Sequence, residues 1–151
     1  MYVLRNKIVF LTGGSSGIGK ATAIRLAHLG AHLALSGRNR DALQEVHDEI
    51  TRTGGVAFIA PADVTDAEQV RAAIDATVTH FGKLDILIAS AGLSMRAYFE
   101  NSSLEALERV MRVNFFGTLY ATHFALPHVK KTQGSLVAVS SLTGKRGIPS
   151  Y

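Results

Sequence analysis

The stretch TGGSSGIGKAT, residues 12–22, joins an apolar run to an amphipathic segment through a series of glycines. The preceding KIVFLTGG reads as a strand, and Gly19 to Leu29 reads as a helix closed by Gly30 at its C′ position. Glycine permits positive φ and close approach of the backbone, and a helix N-terminus offers free N–H groups to an anion. The order strand, glycines, helix therefore predicts a phosphate-binding loop, although a glycine-rich turn without a ligand has the same composition.

The rest of the chain repeats this alternation of short apolar runs and amphipathic segments. The further predicted strands are AHLALSG, VAFIAPADV, KLDILIASAG and GSLVAVSS. The KLDILIASAG run is nearly continuous in its hydrophobicity, as expected for a strand covered on both faces. Strand and helix alternate five times, which predicts a doubly wound, Rossmann-like α/β fold with a parallel sheet in the order 3-2-1-4-5.

The predicted helices carry recognisable start signals. Asn39 is a candidate N-cap for a helix whose buried face includes Leu43, Val46 and Ile50. Thr65 with Glu68 predicts a capping box for the next helix. Ser102 with Glu105 predicts another, which opens a helical region that runs with one break to about residue 131.

Composition limits the class of protein. The chain has 151 residues, 47% of them hydrophobic, and predicts a single domain over residues 1–151. We expect neither a membrane span nor export, hence a cytoplasmic location, because no apolar run approaches the roughly 20 residues of a bilayer span. The absence of cysteine excludes disulfides and thiolate chemistry, and six histidines that fall singly predict no metal site.

The charge balance favours a small anionic ligand over a nucleic acid. The net charge is +4 and the pI is about 9.6, but the basic residues are scattered, with GRNR, HVKK and GKRG as the only local clusters. Nucleic-acid binding through this basic surface remains the alternative, and it would be strongly salt-dependent.

The segment LSGRNR, residues 35–40, bears on which dinucleotide is bound. A site for NAD normally offers a carboxylate to the ribose 2′-OH at the end of the second strand. Gly37 provides none here, and Arg38 can make charge-assisted hydrogen bonds to a 2′-phosphate. We therefore expect NADP to be preferred over NAD, the alternative being that Arg38 is a surface residue of a helix-capping loop.

Five motifs occur in the order and spacing of a known family: TGGSSGIG, ADV, ASAG, VNFFG and VSSLTGKRG. Over essentially its whole length the chain resembles the classical short-chain dehydrogenase/reductase family. The resemblance implies an oxidoreductase that interconverts a carbonyl and an alcohol of a small-molecule substrate by hydride transfer from or to NADP. It also implies a homo-oligomer for the complete protein.

The resemblance assigns cofactor-binding roles. Asp63 is expected to accept a hydrogen bond from the adenine amino group beside the Val64 backbone, and Ala91 with Gly92 to face the ribose; alternatively, Asp63 is a charge at a helix N-terminus. ASAG departs from the family's usual NNAG, because Ala89 and Ser90 replace the amides. The residues expected to wrap the cofactor phosphates are Gly13, Ser15, Ser16, Gly17, Ile18 and Gly19.

The resemblance also implies catalytic roles. Asn114 matches an asparagine that helps to hold a water in a proton relay, although a simple helix break is the alternative. Ser141 matches a serine that donates to the substrate oxygen, and the same motif predicts a tyrosine at position 154 and a lysine at position 158. Tyr151 falls short of that spacing and is expected to be a loop aromatic near the substrate.

We therefore expect residues 1–151 to be the cofactor-binding front portion of a longer enzyme, incomplete at its C-terminus and lacking the family's last strands. As such it would leave an open edge beside the fifth strand and an uncovered helix face around Asn114, and it would be inactive by itself. The alternative is a non-catalytic dinucleotide-binding or redox-sensing module.

Overall fold

In the computed structural model, which describes residues 4–146, five parallel strands form a single sheet. The strands are β1 (Ile8–Thr12), β2 (His32–Ser36), β3 (Val56–Ile59), β4 (Ile86–Ala89) and β5 (Ser135–Ala138). Their order is β3-β2-β1-β4-β5, which confirms the predicted doubly wound topology. The order reverses between β1 and β4, and in such sheets ligands bind at the crevice beyond the strand ends at this point.

Helices connect the strands and lie on both faces of the sheet. They are α1 (Gly17–His28), α2 (Arg40–Arg52), α3 (Ala67–Phe81), α4 (Leu104–Met111) and α5 (Gly117–Lys131). A π-helical turn, Arg112–Phe116, joins α4 to α5 and is the break expected in the last helical region. Short 3-10 turns occupy Phe99–Asn101 and Leu142–Gly144.

The core consists of two apolar clusters, one on each face of the sheet. Successive side chains of a strand point to opposite faces, so Leu11 packs against α1 and α2 while Phe10 packs against α3 and α5. The predicted face of α2 is confirmed, because Leu43, Val46 and Ile50 are all buried. Central strands buried on both faces make β1 a rigid platform for the loop that follows it.

The helix ends correct three predictions by one or two residues. Helix α1 begins at Gly17 rather than Gly19, with Ser16 as its N-cap. Asp66, not Thr65, caps α3, because its carboxylate accepts from the Glu68 and Gln69 N–H groups. A carboxylate makes these two bonds more strongly than a hydroxyl can.

The cap of α4 is also displaced from the prediction, from Ser102 to Ser103. The Ser103 hydroxyl accepts from the Ala106 N–H, whereas the Ser102 hydroxyl donates to the Tyr98 carbonyl. Asn39 is confirmed as the cap of α2, since its side chain accepts from the Ala42 N–H at 3.0 Å. Gly30 is confirmed as the residue that ends α1, with φ of 87°.

Asp85 connects the starts of the central strands at the amino edge of the sheet. Its carboxylate is 2% exposed, accepts from the Ile8 N–H at 2.9 Å, and pairs with Lys7 at 3.3 Å and Lys83 at 2.8 Å. Burial acts to raise the pKa of Asp85, but the Ile8 N–H and the Lys83 and Lys7 ammonium groups outweigh it and hold that pKa below its usual value. This carboxylate is a structural link between β1 and β4.

The expected open edge and uncovered helix face are both present. All four residues of β5 are exposed, and Phe115 in the π-helical turn is 54% exposed. Within residues 4–146, no helix is both long and apolar enough to cross a membrane. Tyr151 lies outside the described residues.

Candidate functional site

The ends of β1 and β4 are joined directly at the switch point of the sheet. Thr12, the last residue of β1, is 2% exposed, and its hydroxyl accepts from the N–H groups of Ser90 at 3.1 Å and Ala91 at 3.2 Å. The ASAG turn is thus held through its backbone, and the loss of the family's amide side chains at Ala89 and Ser90 does not release it. Sequence reasoning did not single out Thr12, because a threonine at a strand end carries no signal of the partner that it meets.

Two glycines in the loop after β1 permit close backbone contacts. A Cβ at Gly13 would lie 2.8 Å from the Ala91 Cα, and Gly13 has φ of 72°. A Cβ at Gly19 would lie 2.1 Å from the Gly13 carbonyl oxygen. Both positions therefore exclude a side chain, and together they hold the start of α1 against the loop and the β4 turn.

The N-terminus of α1 has hydrogen-bonding capacity that no part of the described chain uses. Ser16 is the N-cap residue, yet its side chain makes no capping hydrogen bond, and the first turn contains no acidic residue. Gly17 has φ of 53°, and a Cβ added there would meet no atom within 4 Å, so it faces open space. Free N–H groups and the positive end of the helix dipole at an open surface are suited to an anion.

Three further predicted residues lie near this N-terminus. Ile18 is 67% exposed, which is unusual for a large apolar side chain in the first turn of a helix. Ser15 lies close to the end of β2, since its hydroxyl is 3.5 Å from the position of a Cβ on Gly37. Arg38 follows directly, is exposed, and makes no ion pair within residues 4–146.

Asp63 and Val64 lie at the carboxyl end of β3, on the same edge of the sheet. The Asp63 Oδ1 accepts from both the N–H and the hydroxyl of Thr65, at 2.9 and 2.8 Å, which fixes the carboxylate and leaves Oδ2 without a partner among the described residues. Val64 is buried against Gly117, where a Cβ would lie 2.8 Å from the Val64 Cγ2. The loop after β3 therefore rests on the start of α5.

The acid next to this loop, Asp66, remains ionised as the cap of α3. The backbone N–H of Gln69, together with its side-chain amide, holds the pKa of Asp66 below its usual value. Its charge is therefore committed to the helix N-terminus, and Asp63 is the carboxylate of this loop that keeps an oxygen available.

Asn114 lies in the π-helical turn and is clamped to the loop after β4. Its Oδ1 accepts from the Leu93 N–H at 2.8 Å, and its Nδ2 donates to the Leu93 carbonyl at 2.9 Å. Its backbone carbonyl accepts from the Thr118 hydroxyl at 2.9 Å. The side chain thus fixes the segment that follows Ala91 and Gly92, a contact across 21 positions that propensity alone does not reveal.

Ser141 lies beyond the end of β5, which is paired with β4 through the Val139 N–H and the Ala89 carbonyl at 2.9 Å. The Ser141 hydroxyl oxygen accepts from the N–H of Thr143 at 3.2 Å and from its hydroxyl at 3.0 Å. Both lone pairs are used in capping a short turn, so the hydroxyl hydrogen is the part of Ser141 left to donate. No side-chain hydrogen bond joins Ser141 to the loop after β1 within the described residues.

The structure therefore gathers the predicted residues at the carboxyl edge of the sheet. The loops after β1, β2, β3 and β4 meet there, with Asn114 behind the fourth and Ser141 beyond β5. No cluster of three or more potential metal ligands occurs within residues 4–146. What this edge offers is a set of backbone N–H groups, the exposed guanidinium of Arg38 and the partly available carboxylate of Asp63.

Comparison with known proteins identifies the family of the chain. The family model described as short chain dehydrogenase matches residues 7–151. The 11-beta-hydroxysteroid dehydrogenase-like 3 protein of Arabidopsis thaliana is 43% identical over 145 residues, which is 95% of this chain and 46% of that protein. Dehydrogenase/reductase SDR family member 7 of Homo sapiens is 34% identical, over 97% of this chain and 44% of that protein. The chain thus spans about half the length of the curated relatives it matches.

Solved structures agree in fold. An alcohol dehydrogenase from Thermococcus sibiricus, complexed with 5-hydroxy-NADP, superposes with a TM-score of 0.93 at 32% identity, over 97% of this chain and 63% of that one. A short chain dehydrogenase/reductase from Burkholderia phymatum in complex with NAD superposes with a TM-score of 0.94 at 28% identity, over 99% of this chain and 54% of that one. Proteins of this shape have therefore been captured with either kind of nicotinamide dinucleotide.

Proposed function

Because the chain belongs to the short-chain dehydrogenase/reductase family, we propose that the intact protein is an NADP-dependent oxidoreductase that interconverts a carbonyl and an alcohol. The observation that carries this proposal is the N-terminus of α1. The side chain of the N-cap residue Ser16 makes no capping hydrogen bond, the space beside Gly17 is open, and the first turn contains no acidic residue. That combination fits the pyrophosphate of a dinucleotide, an anion that binds at helix N-termini in doubly wound folds.

The residues around this N-terminus fit the other parts of a dinucleotide. Gly13 has no side chain and lies close to Ala91, so this part of the site presents backbone atoms to the ribose. The Oδ2 of Asp63 is available to accept a hydrogen bond from an amino group such as that of adenine. The bound cofactor supplies the hydride chemistry itself. The protein's part is to bind it, orient it and exclude water beside it.

The preference for NADP rests on Arg38. Its guanidinium is exposed without an ion pair among the described residues, and Gly37 before it carries no carboxylate to repel a phosphate. A planar guanidinium can make two charge-assisted hydrogen bonds to the oxygens of a phosphate. With the neutral 2′-hydroxyl of NAD it makes only a weaker, uncharged hydrogen bond. The solved relatives include both an NADP-type and an NAD complex, and Arg38 is the residue proposed to decide between the two here.

Three residues are proposed to act on the substrate side: Ser141 and the residues expected at positions 154 and 158. The Ser141 hydroxyl has its oxygen engaged by Thr143, so it would donate its hydrogen to the substrate oxygen. A tyrosine at position 154 would transfer the proton, with a lysine at position 158 lowering its pKa; a phenol has an ordinary pKa of about 10 and needs such a cation near neutral pH.

Asn114 is proposed to act mainly as a positioning residue. Both ends of its side-chain amide bond to the backbone of Leu93, and its backbone carbonyl accepts from the Thr118 hydroxyl. The side chain's contribution is then to hold the loop after β4 in place beneath the cofactor.

The proposal is tested by reading the encoded sequence past residue 151 and assaying the intact protein. Tyrosine at 154, lysine at 158 and oxidation of NADPH with aldehyde or ketone substrates are the expected results. Ser141→Ala should lower kcat by about 100-fold or more while leaving NADPH affinity within about twofold, because the lost group acts on the transferring oxygen. The longer chain could instead lack that tyrosine and lysine, bind NADPH and turn over no carbonyl substrate. This result would contradict the proposed enzyme and favour a redox-sensing module.

A further inference from the structure

One of the local clusters of basic residues, GKRG at residues 144–147, closely follows the candidate catalytic serine. The cluster GRNR contains Arg38, which is proposed to bind the cofactor, and HVKK ends α5, where the helix dipole favours cations. Neither reason applies to Lys145 and Arg146. They follow a turn of only three residues, Leu142–Gly144, whose dipole is small.

The turn after Ser141 keeps these two cations close to it. The N–H groups of Lys145 and Arg146 both donate to the Leu142 carbonyl at 3.0 Å, so they lie about one helical turn from Ser141. Every residue of the segment 141–146 is exposed, and Leu142 is 80% exposed. A serine hydroxyl, an apolar side chain and two cations therefore follow one another on a single open turn.

The positive charge of this turn is not offset by the segments that support it. Lys145 and Arg146 make no ion pair within residues 4–146. The sequence contains no aspartate or glutamate over residues 109–151, which include α5, β5 and the turn itself. An anionic molecule that reaches the candidate serine therefore meets cations on this loop and no carboxylate.

The acids of the second half of the chain all lie in residues 100–108; they are Glu100, Glu105 and Glu108. Glu108 pairs with Arg112 at 3.9 Å. The backbone N–H of Glu105 and the Ser103 hydroxyl hold the pKa of Glu105 below its usual value, as expected for a carboxylate at the start of α4. Glu100 is exposed, and the loop before it contributes the exposed Arg96. The loops after β4 and β5 therefore have a positive net charge.

We propose that the substrate of the intact protein is a carbonyl compound that carries an anionic group, and that Lys145 and Arg146 bind this group while Ser141 donates to the carbonyl oxygen. This inference rests on the proposed function and narrows its substrate class. An ammonium and a guanidinium both make charge-assisted hydrogen bonds to the oxygens of a carboxylate or a phosphate. The exposed Leu142 suits the carbon chain that joins the carbonyl to the anionic group.

The test compares anionic carbonyl compounds with their neutral counterparts as substrates of the intact protein with NADPH. The carboxylate probes are acetoacetate and levulinate, each against its methyl ester, and the phosphate probe is dihydroxyacetone phosphate against dihydroxyacetone. At least one anionic probe should have a kcat/KM at least about tenfold above that of its counterpart, and the advantage should shrink as salt is raised. The pair that shows the advantage identifies the anionic group as a carboxylate or a phosphate.

Lys145→Gln with Arg146→Gln tests the two residues. The ratio of kcat/KM for the preferred anionic probe to that for its counterpart should fall about tenfold or more, through a higher KM for the anion, because the lost contacts are made before the reaction begins. NADPH affinity should stay within about twofold. The matched control is Lys130→Gln with Lys131→Gln, which removes the same charge from the end of α5 and should leave the ratio unchanged.

Several results would overturn the inference. Neutral compounds reduced as efficiently as their anionic counterparts would do so and would leave the proposed oxidoreductase standing. An equal fall of the ratio in the control pair would show a general effect of net charge, and an equal fall of NADPH affinity in the Lys145 and Arg146 variant would assign these cations to the cofactor. A protein that reduces no carbonyl compound at all would contradict the proposed function itself.

Discussion

Asn114 uses both ends of its side-chain amide on the backbone of Leu93, so its removal should disturb cofactor binding as well as turnover. Asn114→Ala should lower NADPH affinity by up to about 30-fold in titrations of the intact protein, because two hydrogen bonds worth about 1 kcal/mol each hold the loop after β4. Thr118→Val, which removes only the bond to the Asn114 carbonyl, is the matched control. It should change NADPH affinity by less than about threefold.

A drop in kcat with unchanged NADPH affinity in Asn114→Ala would contradict the positioning role. It would indicate that Asn114 acts only on the proton relay. The two roles are therefore separated by one titration and one steady-state measurement.

The sequence predicted which residue types form the candidate site better than it predicted the hydrogen bonds that those residues make. Gly13, Gly17 and Arg38 were recognisable because backbone freedom and charge are properties of a residue itself. The bond from Asn114 to Leu93 and the bonds from Ser90 and Ala91 to Thr12 span 21, 78 and 79 positions and depend on the fold. Capping positions failed by one residue for a similar reason, since neighbouring polar residues compete for the same N–H groups.

Two glycines with similar backbone geometry, one at the start of α1 and one between α2 and β3, allow a direct comparison. Gly17 and Gly54 have φ of 53° and 81°, and a Cβ on either would meet no atom within 4 Å. Replacing either by alanine should cost about 1–2 kcal/mol of stability, because a left-handed conformation is unfavourable for a residue with a side chain. Gly17→Ala should additionally lower NADPH affinity at least about tenfold, since its methyl group would enter the proposed pyrophosphate site.

Gly54→Ala should leave NADPH affinity unchanged, because Gly54 lies in the turn between α2 and β3 at the opposite edge. Urea unfolding gives the stability of each variant and fluorescence titration its affinity. Equal NADPH affinities for the two variants would exclude Gly17 from the cofactor site.

Strand and helix identities followed from hydrophobic periodicity, and the sheet order followed from the right-handed crossover rule. The strands proved shorter than the apolar runs that predicted them; β3 ends at Ile59, before the proline and the acid of the same run. The π-helical turn around Asn114 was predicted only as a break, because periodicity does not distinguish a widened turn from an interruption.

Asp85 stabilises the amino edge of the sheet through its bonds to the Ile8 N–H and to Lys7 and Lys83. Its pKa is held below the unfolded value, so its contribution to stability is complete above the unfolded pKa of about 4 and is lost as the pH falls through the folded pKa. Asp85→Asn should therefore lower the free energy of unfolding by about 1.5–3 kcal/mol at pH 7, with a shrinking difference from the parent protein below about pH 4.

Asp75→Asn on the exposed side of α3 is the control, and it should change the free energy of unfolding by less than about 0.5 kcal/mol. Urea unfolding between pH 7 and pH 3 makes the comparison. A difference between Asp85→Asn and the parent that stays constant over this range would show that the charge of Asp85 is not what stabilises the edge.

We propose that the carboxyl edge of the sheet binds NADP and that Arg38 selects it over NAD. The most direct measurement is titration of the intact protein, Arg38→Asp and the control Arg71→Asp with NADPH and with NADH. Arg38→Asp should weaken NADPH binding at least about tenfold, because the charge-assisted hydrogen bonds are lost, and should leave NADH binding nearly unchanged or improved. The control Arg71→Asp should retain the parent protein's preference for NADPH. Equal losses for both dinucleotides in Arg38→Asp, or a parent protein that binds NADH as tightly as NADPH, would contradict the account.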